Sequence, residues 1–421
     1  MAEDSFFQMF LTEISKLSSI SIAFDDSFRD VYLSFWHEFD GKSEESPSFV
    51  VADGSYAHTT FRGGVRAAVA RAIANVYSHN NLIGDICDVD LRVGHGLKRI
   101  SLYMRALEFK CLKRALESYS EVQMALCDGD LYPIIPPVLV KLGDQEVEAY
   151  AEYLNAFYDL YKLAAERKLL LIGVTKDSFV NYLGVKILST FISQENPTLG
   201  RELSRVRSVK NILKKLSENR DQLKNCDAYL KEVGRMLMSS DEEIFDDYTN
   251  KSGFTYPLVL APQPIYLSEE IKAGTRRWAD SRIRRRLLAA GNPFSKIAEA
   301  FDRICELPPV VMSYWRPWHG IGVYRIDIGG WILGLNSDWG SVEGDYFLEG
   351  STDKLREVIA VLNSLSPEPF TIKPLLDVDD LVRFRTDIYK ECYEPLIIEA
   401  LRRAGLKAVL TKRDLRELMV R

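Results

Sequence analysis

The chain is poor in the residues that build the commonest zinc and redox sites. Its six cysteines (Cys87, Cys111, Cys127, Cys226, Cys305 and Cys392) are scattered over 421 residues without a Cys-x-x-Cys pair. That argues against a cysteine-built zinc site and predicts free thiols in a reducing, cytoplasmic setting. The five histidines, His37, His58, His79, His95 and His319, are dispersed and form no His-Glu-x-x-His pattern. No apolar run reaches the roughly 18 residues that cross a bilayer. The opening "MAEDSFFQMF" lacks the basic start of a signal peptide, so no membrane partner is expected. "GKS" at 41–43 mimics a P-loop ending, but Trp36 stands where its first glycine is needed. No ATP-driven motor is expected within the chain. Excess positive charge is missing too. A net charge of −6 weakens the case for coating nucleic acid through overall charge.

What is present is an ordinary globular composition, 47% hydrophobic and 27% charged. The length exceeds one usual hydrophobic core, so two subdomains or one elaborated domain is the expectation. Two basic clusters stand out, "RVRSVKNILKK" at 205–215 and "RRWADSRIRRR" at 276–286. Such runs are more often solvated helix faces than phosphate tracks. Within an acidic chain they are still the first candidates for a phosphate contact, Arg284 and Arg285 among them.

Hydrophobic periodicity organises the rest. Residues 1–47 read as a helical segment ending in the polar linker "DGKSEESPS". An apolar strand, 48–53, ends on Asp53. "GGVRAAVARAIANVY" (63–77) carries helix-favouring alanine, but the turn-like "GG" and "SHNN" at its ends favour a strand. Residues 97–118 are helical, with Ile100, Met104, Leu107 and Cys111 on one face. A second apolar strand, "VQMALCDGD" (122–130), a helix near 143–167 and a third strand, "LLLIGVT" (169–175), follow. Continuous apolar strands alternating with helices predict an α/β core with a largely parallel central sheet. Its first part would span 48–175. Residues 176–305 read as a mostly helical insertion or cap. Residues 306–421 would complete the core with a β-hairpin ("PVVMSYWRPW" and "IGVYRIDIGG"), a helix near 352–364 and a closing helical stretch, 379–404.

Several charges do not suit these positions. Asp53 and Asp128 stand at equivalent places in two apolar strands, each followed by glycine. An acid there costs free energy unless something offsets it. Two readings are open: each aspartate caps its own turn, or both face a site where the strand ends of a parallel sheet converge. Glu108 borders the buried stripe of its helix, with only Arg105 as a local partner, whereas Glu117 has Lys113 and Arg114 beside it and reads as a surface residue. Asp377, Asp379 and Asp380 lie where an apolar segment meets a helix start, and capping explains one of them. Carboxylates from remote segments repel one another unless a cation sits among them. Hard oxygen ligands select Mg²⁺ or Mn²⁺, and two such ions about 4 Å apart serve phosphodiester hydrolysis. His58, five residues beyond Asp53, reads as a strand-exit residue more readily than as a site lining. Trp315, Trp318 and Arg316 in "SYWRPWHG" could stack bases, although such aromatics more often pack a hairpin.

Taken in order, "VADGSY" (51–56), "RALE" (105–108), "LCDGD" (126–130), "LIGVTKDS" (171–178), "YPLVLA" (256–261), "VYRIDI" (323–328) and "PLLDVDDLV" (374–382) resemble the NurA nuclease family. The resemblance implies an α/β, RNase H-like fold: a mixed central sheet flanked by helices, with a mostly helical insertion. It implies a Mn²⁺-dependent enzyme, with Mg²⁺ as the alternative ion, that cuts single-stranded DNA internally and degrades DNA 5′ to 3′. It implies a homodimer working with the hexameric translocase HerA on DNA ends. Asp53, Glu108 and Asp128 would be metal ligands and catalytic residues, and Lys176 would meet a phosphate. Arg316, Arg284 and Arg285, read from their own basic stretches, are the other expected DNA contacts. The family's last motif usually pairs a tyrosine with a histidine eight residues on. Here those positions are Thr371 and Asp379, and aspartate can still bind the metal. The alternatives are a non-catalytic assembly partner of a translocase, or an ATPase of the actin and sugar-kinase type. The ATPase would need a further glycine-rich adenosine loop, which is not evident.

Overall fold

A computed structural model describes residues 7, 9–11, 28–44, 46–95, 97–133, 143–204, 206–262, 288, 294–368, 371–406 and 408–410. Among these, eleven strands form one sheet, in the order β1 (Trp36–Glu38), β7 (Gly253–Thr255), β9 (Val310–Arg316), β10 (Tyr324–Gly329), β6 (Leu170–Thr175), β5 (Met124–Asp128), β2 (Phe49–Thr60), β3 (Val65–Ser78) and β4 (Asn81–His95). Two short strands, β8 (Leu258–Val259) and β11 (Tyr346–Phe347), attach beside β9. The sheet is mixed, as the family resemblance implies. Parallel pairing, however, is confined to β2–β5 and β5–β6, so the expectation of a largely parallel core is corrected. Continuous apolar runs report burial on both faces, and antiparallel β9, buried throughout, is as covered as β5.

The strand expected to end on Asp53 runs on to Thr60. Strand β3 holds it residue for residue, from Phe49↔Tyr77 to Thr60↔Arg66. The "GG" stretch is the hairpin turn, with Gly63 and Gly64 at φ +88° and +83°. His79 and Asn80, also at positive φ, make the next turn. The alanines of β3 serve packing rather than helix formation. Ala68, Ala70, Ala72 and Ala74 are buried, and their small side chains let the helix Ile100–Ser118 lie close against the sheet.

The helices Asp144–Glu166, Thr352–Ser364 and Glu394–Arg403 fall where periodicity places them. The stretch 176–305 is mostly helical among its described residues, but it also supplies β7 and β8 to the central sheet. Strands of three and two residues are too short to show a period. The basic cluster at 276–286, with Arg284 and Arg285, lies outside the described residues.

Arg316 belongs to this scaffold rather than to a phosphate track. Its side chain is only 3% exposed and pairs with Asp246 while donating to the Thr249 carbonyl. Trp315 is fully buried, with its indole N–H on Asn363 Oδ1 at 2.9 Å, so it offers no face to a base. Replacing Arg316 with alanine is expected to lower stability by about 2 kcal/mol through lost charge-assisted hydrogen bonds, measured by urea unfolding.

Candidate metal centre

Strand register brings the first two carboxylates together. Strands β2 and β5 pair in parallel through Ala52↔Cys127, so the next step sets Asp53 and Asp128 side by side on one face, about 5 Å between strands. The final β5–β6 pair is Asp128↔Val174. Lys176 follows two residues on, and its Nζ reaches Asp128 Oδ2 at 2.7 Å.

Glu108 arrives from the helix Ile100–Ser118, 1% exposed. Its place explains the glycine after Asp53. A Cβ on Gly54 would stand 2.6 Å from Glu108 Oε1 and 2.9 Å from Met104 Cγ. Gly54 therefore admits a helix side chain against the strand rather than making a turn, and its N–H donates to Asp53 Oδ1 at 2.7 Å. The turn-cap reading of Asp53 is thereby removed. Gly129 differs, since its φ of +105° is a genuine turn requirement.

The fourth carboxylate, Asp379, sits on the helix Lys373–Val382, which packs over β2, β3 and β5. Its register on the sheet is tied by Arg71, which donates to the Val382 and Arg383 carbonyls at 2.6 Å, and by the Phe384 N–H on Ser55 Oγ at 3.0 Å. Asp377, Asp379 and Asp380 lie in the body of the helix, so none of them caps its start at Lys373.

The carboxylates feel one another. Burial, with the charge of Asp128 and then that of Asp379, raises Asp53 to about 6 against the Gly54 N–H and Lys176. Burial raises Glu108 to about 7 despite Arg105, with Asp53 and Asp128 adding to the rise. Each acid also has a local partner: Asp53 the Gly54 N–H, Asp128 the Lys176 ammonium, Glu108 the Arg105 guanidinium and Asp379 the Arg383 guanidinium. Among the described residues, no three His, Cys, Asp or Glu side chains stand ready as a coordination sphere. The donor set nonetheless fits a hard cation: carboxylates that are buried (Asp53, Glu108) or half-buried (Asp128, Asp379), with oxygen as the only ligand atom. Coordination would require Asp128 to turn from Lys176.

Arg105 is the residue whose role the sequence did not disclose. Its guanidinium joins Glu108 to the Asp128 carbonyl and donates to the Asp130 carbonyl at 2.8 Å. It thus ties the helix to the end of β5. Thr371 lies within hydrogen-bonding reach of the Tyr324 phenol. Glu117 pairs with Lys113 at 2.6 Å on the surface, as its spacing predicts.

Gly54→Ala is expected to push Glu108 and Met104 aside and to destabilise the fold by about 1–3 kcal/mol, as overpacking of a filled interior does, with urea unfolding as the measurement.

Comparison with known proteins agrees with the mixed α/β fold. The model of the NurA domain matches residues 47–332. The NurA nuclease from Sulfolobus solfataricus superposes with a TM-score of 0.53 at 14% identity, over 95% of this chain and 98% of that one. A second NurA crystal structure covers 94% of this chain and 96% of its own, at 12% identity and a TM-score of 0.40. No curated protein matches significantly by sequence.

Proposed function

The chain belongs to the NurA family, and from that premise we propose that it is a divalent-metal-dependent nuclease hydrolysing the phosphodiester bonds of DNA. The observation that carries this reading is the adjoining positions of Asp53 and Asp128 on two parallel strands, with Glu108 packed against Gly54 from one helix and Asp379 on another helix over β2. Asp53, Glu108 and Asp128 would hold the ion, with Asp379 where the family has a histidine. Mn²⁺, or Mg²⁺ in its place, would acidify a bound water and offset charge developing on the phosphate. The protein's own residues position and neutralise. Arg105 fixes the carboxylate of Glu108 and the end of β5. Lys176 holds a positive charge at the Asp128 edge, where it would meet a phosphate oxygen once Asp128 serves the metal.

The finer reading follows the family. The protein would cut single strands internally and degrade DNA 5′ to 3′ in end resection at double-strand breaks. It would act as a homodimer with a HerA-type translocase supplying the motor that this sequence lacks. Digestion of a plasmid and a single-stranded oligonucleotide, with Mn²⁺ and with chelator, tests it. Cleavage only with the metal is expected. No metal-dependent cleavage, alongside tight translocase binding, would make the chain a non-catalytic assembly partner.

A pH dependence follows from the raised carboxyl groups. Asp53 and Glu108 move from 3.8 and 4.5 to about 6 and about 7 on folding. Between those values the native state holds more protons than the unfolded chain, so metal-free stability falls as pH rises through the window. Metal must displace the same protons. Mn²⁺ affinity is therefore expected to climb from pH 5.5 to 7.5 with proton release, measured by calorimetry in buffers of different ionisation heat.

A further inference from the structure

Beyond Asp53 the sheet opens on one side. Strand β2 pairs with β5 only from Phe49 to Ala52, yet continues to Thr60. From Gly54 to Thr60 no strand among the described residues replaces β5, and the next pairing is a single bridge, Phe61↔Leu410. A groove of about 440 Å³ follows this open stretch, between residues 56–60 and the segment from Phe384 to Glu394. It begins three residues from Asp53, about 10 Å along the strand.

An open strand edge ordinarily invites another strand, but the walls of this groove suit a different ligand. Tyr56 is 42% exposed and His58 is exposed. Alternating with Ala57 and Thr59, which face Tyr389, they leave β2 on its other face and border the groove over the open edge. Across the groove stand Thr386 and Lys390. A ring with a cation and hydroxyls is a combination that holds single-stranded nucleic acid, by stacking on bases and contact with phosphates. The one lining carboxylate, Glu394, is turned to Thr59 Oγ1, which also meets the Tyr389 hydroxyl at 3.0 Å. Lys390 lies in a π-helical turn, Tyr389–Tyr393, a distortion frequent at functional sites. The volume is that of a small-ligand pocket, which suits one nucleotide rather than a duplex.

We propose that this groove binds the single-stranded DNA segment next to the scissile phosphate, with Tyr56 stacking on a base and Lys390 meeting the backbone. The proposal rests on the nuclease reading of the adjoining carboxylates. Two measurements separate them. Fluorescence anisotropy of a labelled single-stranded oligonucleotide in chelator reads the groove without cleavage. Mn²⁺-dependent hydrolysis of bis(p-nitrophenyl) phosphate by the unaltered protein reads the metal centre. Tyr56→Ala and Lys390→Glu are each expected to lower strand affinity about tenfold, while Tyr56→Phe, which keeps the ring, retains it. An oligonucleotide bearing 5-iodouracil is expected to photocrosslink to the unaltered protein at Tyr56 or within 384–394. Unchanged affinity in both disruptive variants, or crosslinks only elsewhere, overturns the groove proposal. Failure of the unaltered protein to hydrolyse the reporter overturns the nuclease reading instead.

Discussion

Asp53→Ala is expected to lower metal-dependent DNA cleavage by roughly a thousandfold or more while the protein remains folded. A bound divalent ion contributes several kcal/mol of charge stabilisation at a phosphate, and each 1.36 kcal/mol is a factor of ten in rate. Asp53 stands beside Asp128 on the neighbouring strand, and Glu108 packs against the next residue, Gly54. The accompanying stability change separates a ligand from a scaffold residue. Burial and the charge of Asp128 raise Asp53 to about 6, so without metal its charge opposes folding at neutral pH. Asp53→Asn keeps an oxygen for the Gly54 N–H and removes that charge. It is expected to unfold in chelator at the same urea concentration as the unaltered protein or a higher one, yet to gain less stability from added Mn²⁺. Full cleavage by either variant would reject the site.

The second large effect is expected at Arg105. Its side chain is 14% exposed, its donors serve Glu108 and the Asp128 and Asp130 carbonyls, and its guanidinium lies 4.9 Å from the centre of the Phe109 ring. Truncation to alanine strands a buried carboxylate and two carbonyls at once. Removing one partner of a buried pair costs about 3–5 kcal/mol, and urea unfolding in chelator measures the loss. Arg105→Lys keeps the charge but not the fork that reaches both chain segments, so an intermediate loss is expected. Mn²⁺ should stabilise Arg105→Ala more than the unaltered protein, because the ion restores positive charge beside Glu108. Equal stabilisation of the two would place Glu108 away from the metal.

Part of this site was legible in the sequence. Apolar strands carrying Asp53 and Asp128 at equivalent places, and a helix with Glu108 at the margin of its buried stripe beside Arg105 alone, describe acids driven inward. Parallel register then makes the two aspartates neighbours. The Asp-Gly pair at 53–54 was misleading, because a glycine that makes a turn and one that admits a neighbouring carboxylate are the same residue in sequence. Only packing separates Gly54 from Gly129. The edge strand β4 escaped notice because its outward face is itself partly apolar, with Val89 and Leu91 exposed. Arg316 was expected to meet DNA, since nothing local reveals Asp246, 70 residues away, as its partner. The bridging of Arg105 was hidden for the same reason: its backbone acceptors leave no trace in side-chain identity.

The central claim is that remote carboxylates share a divalent cation rather than each keeping its own partner. A crystal structure with Mn²⁺, using anomalous scattering to locate the ion, tests it most directly. A peak within coordination distance of Asp53, Glu108 and Asp128, with the Asp128 carboxylate turned away from Lys176, is the predicted result. No peak among these side chains, with Lys176 still on Asp128 and Arg105 still on Glu108 at saturating metal, would contradict it.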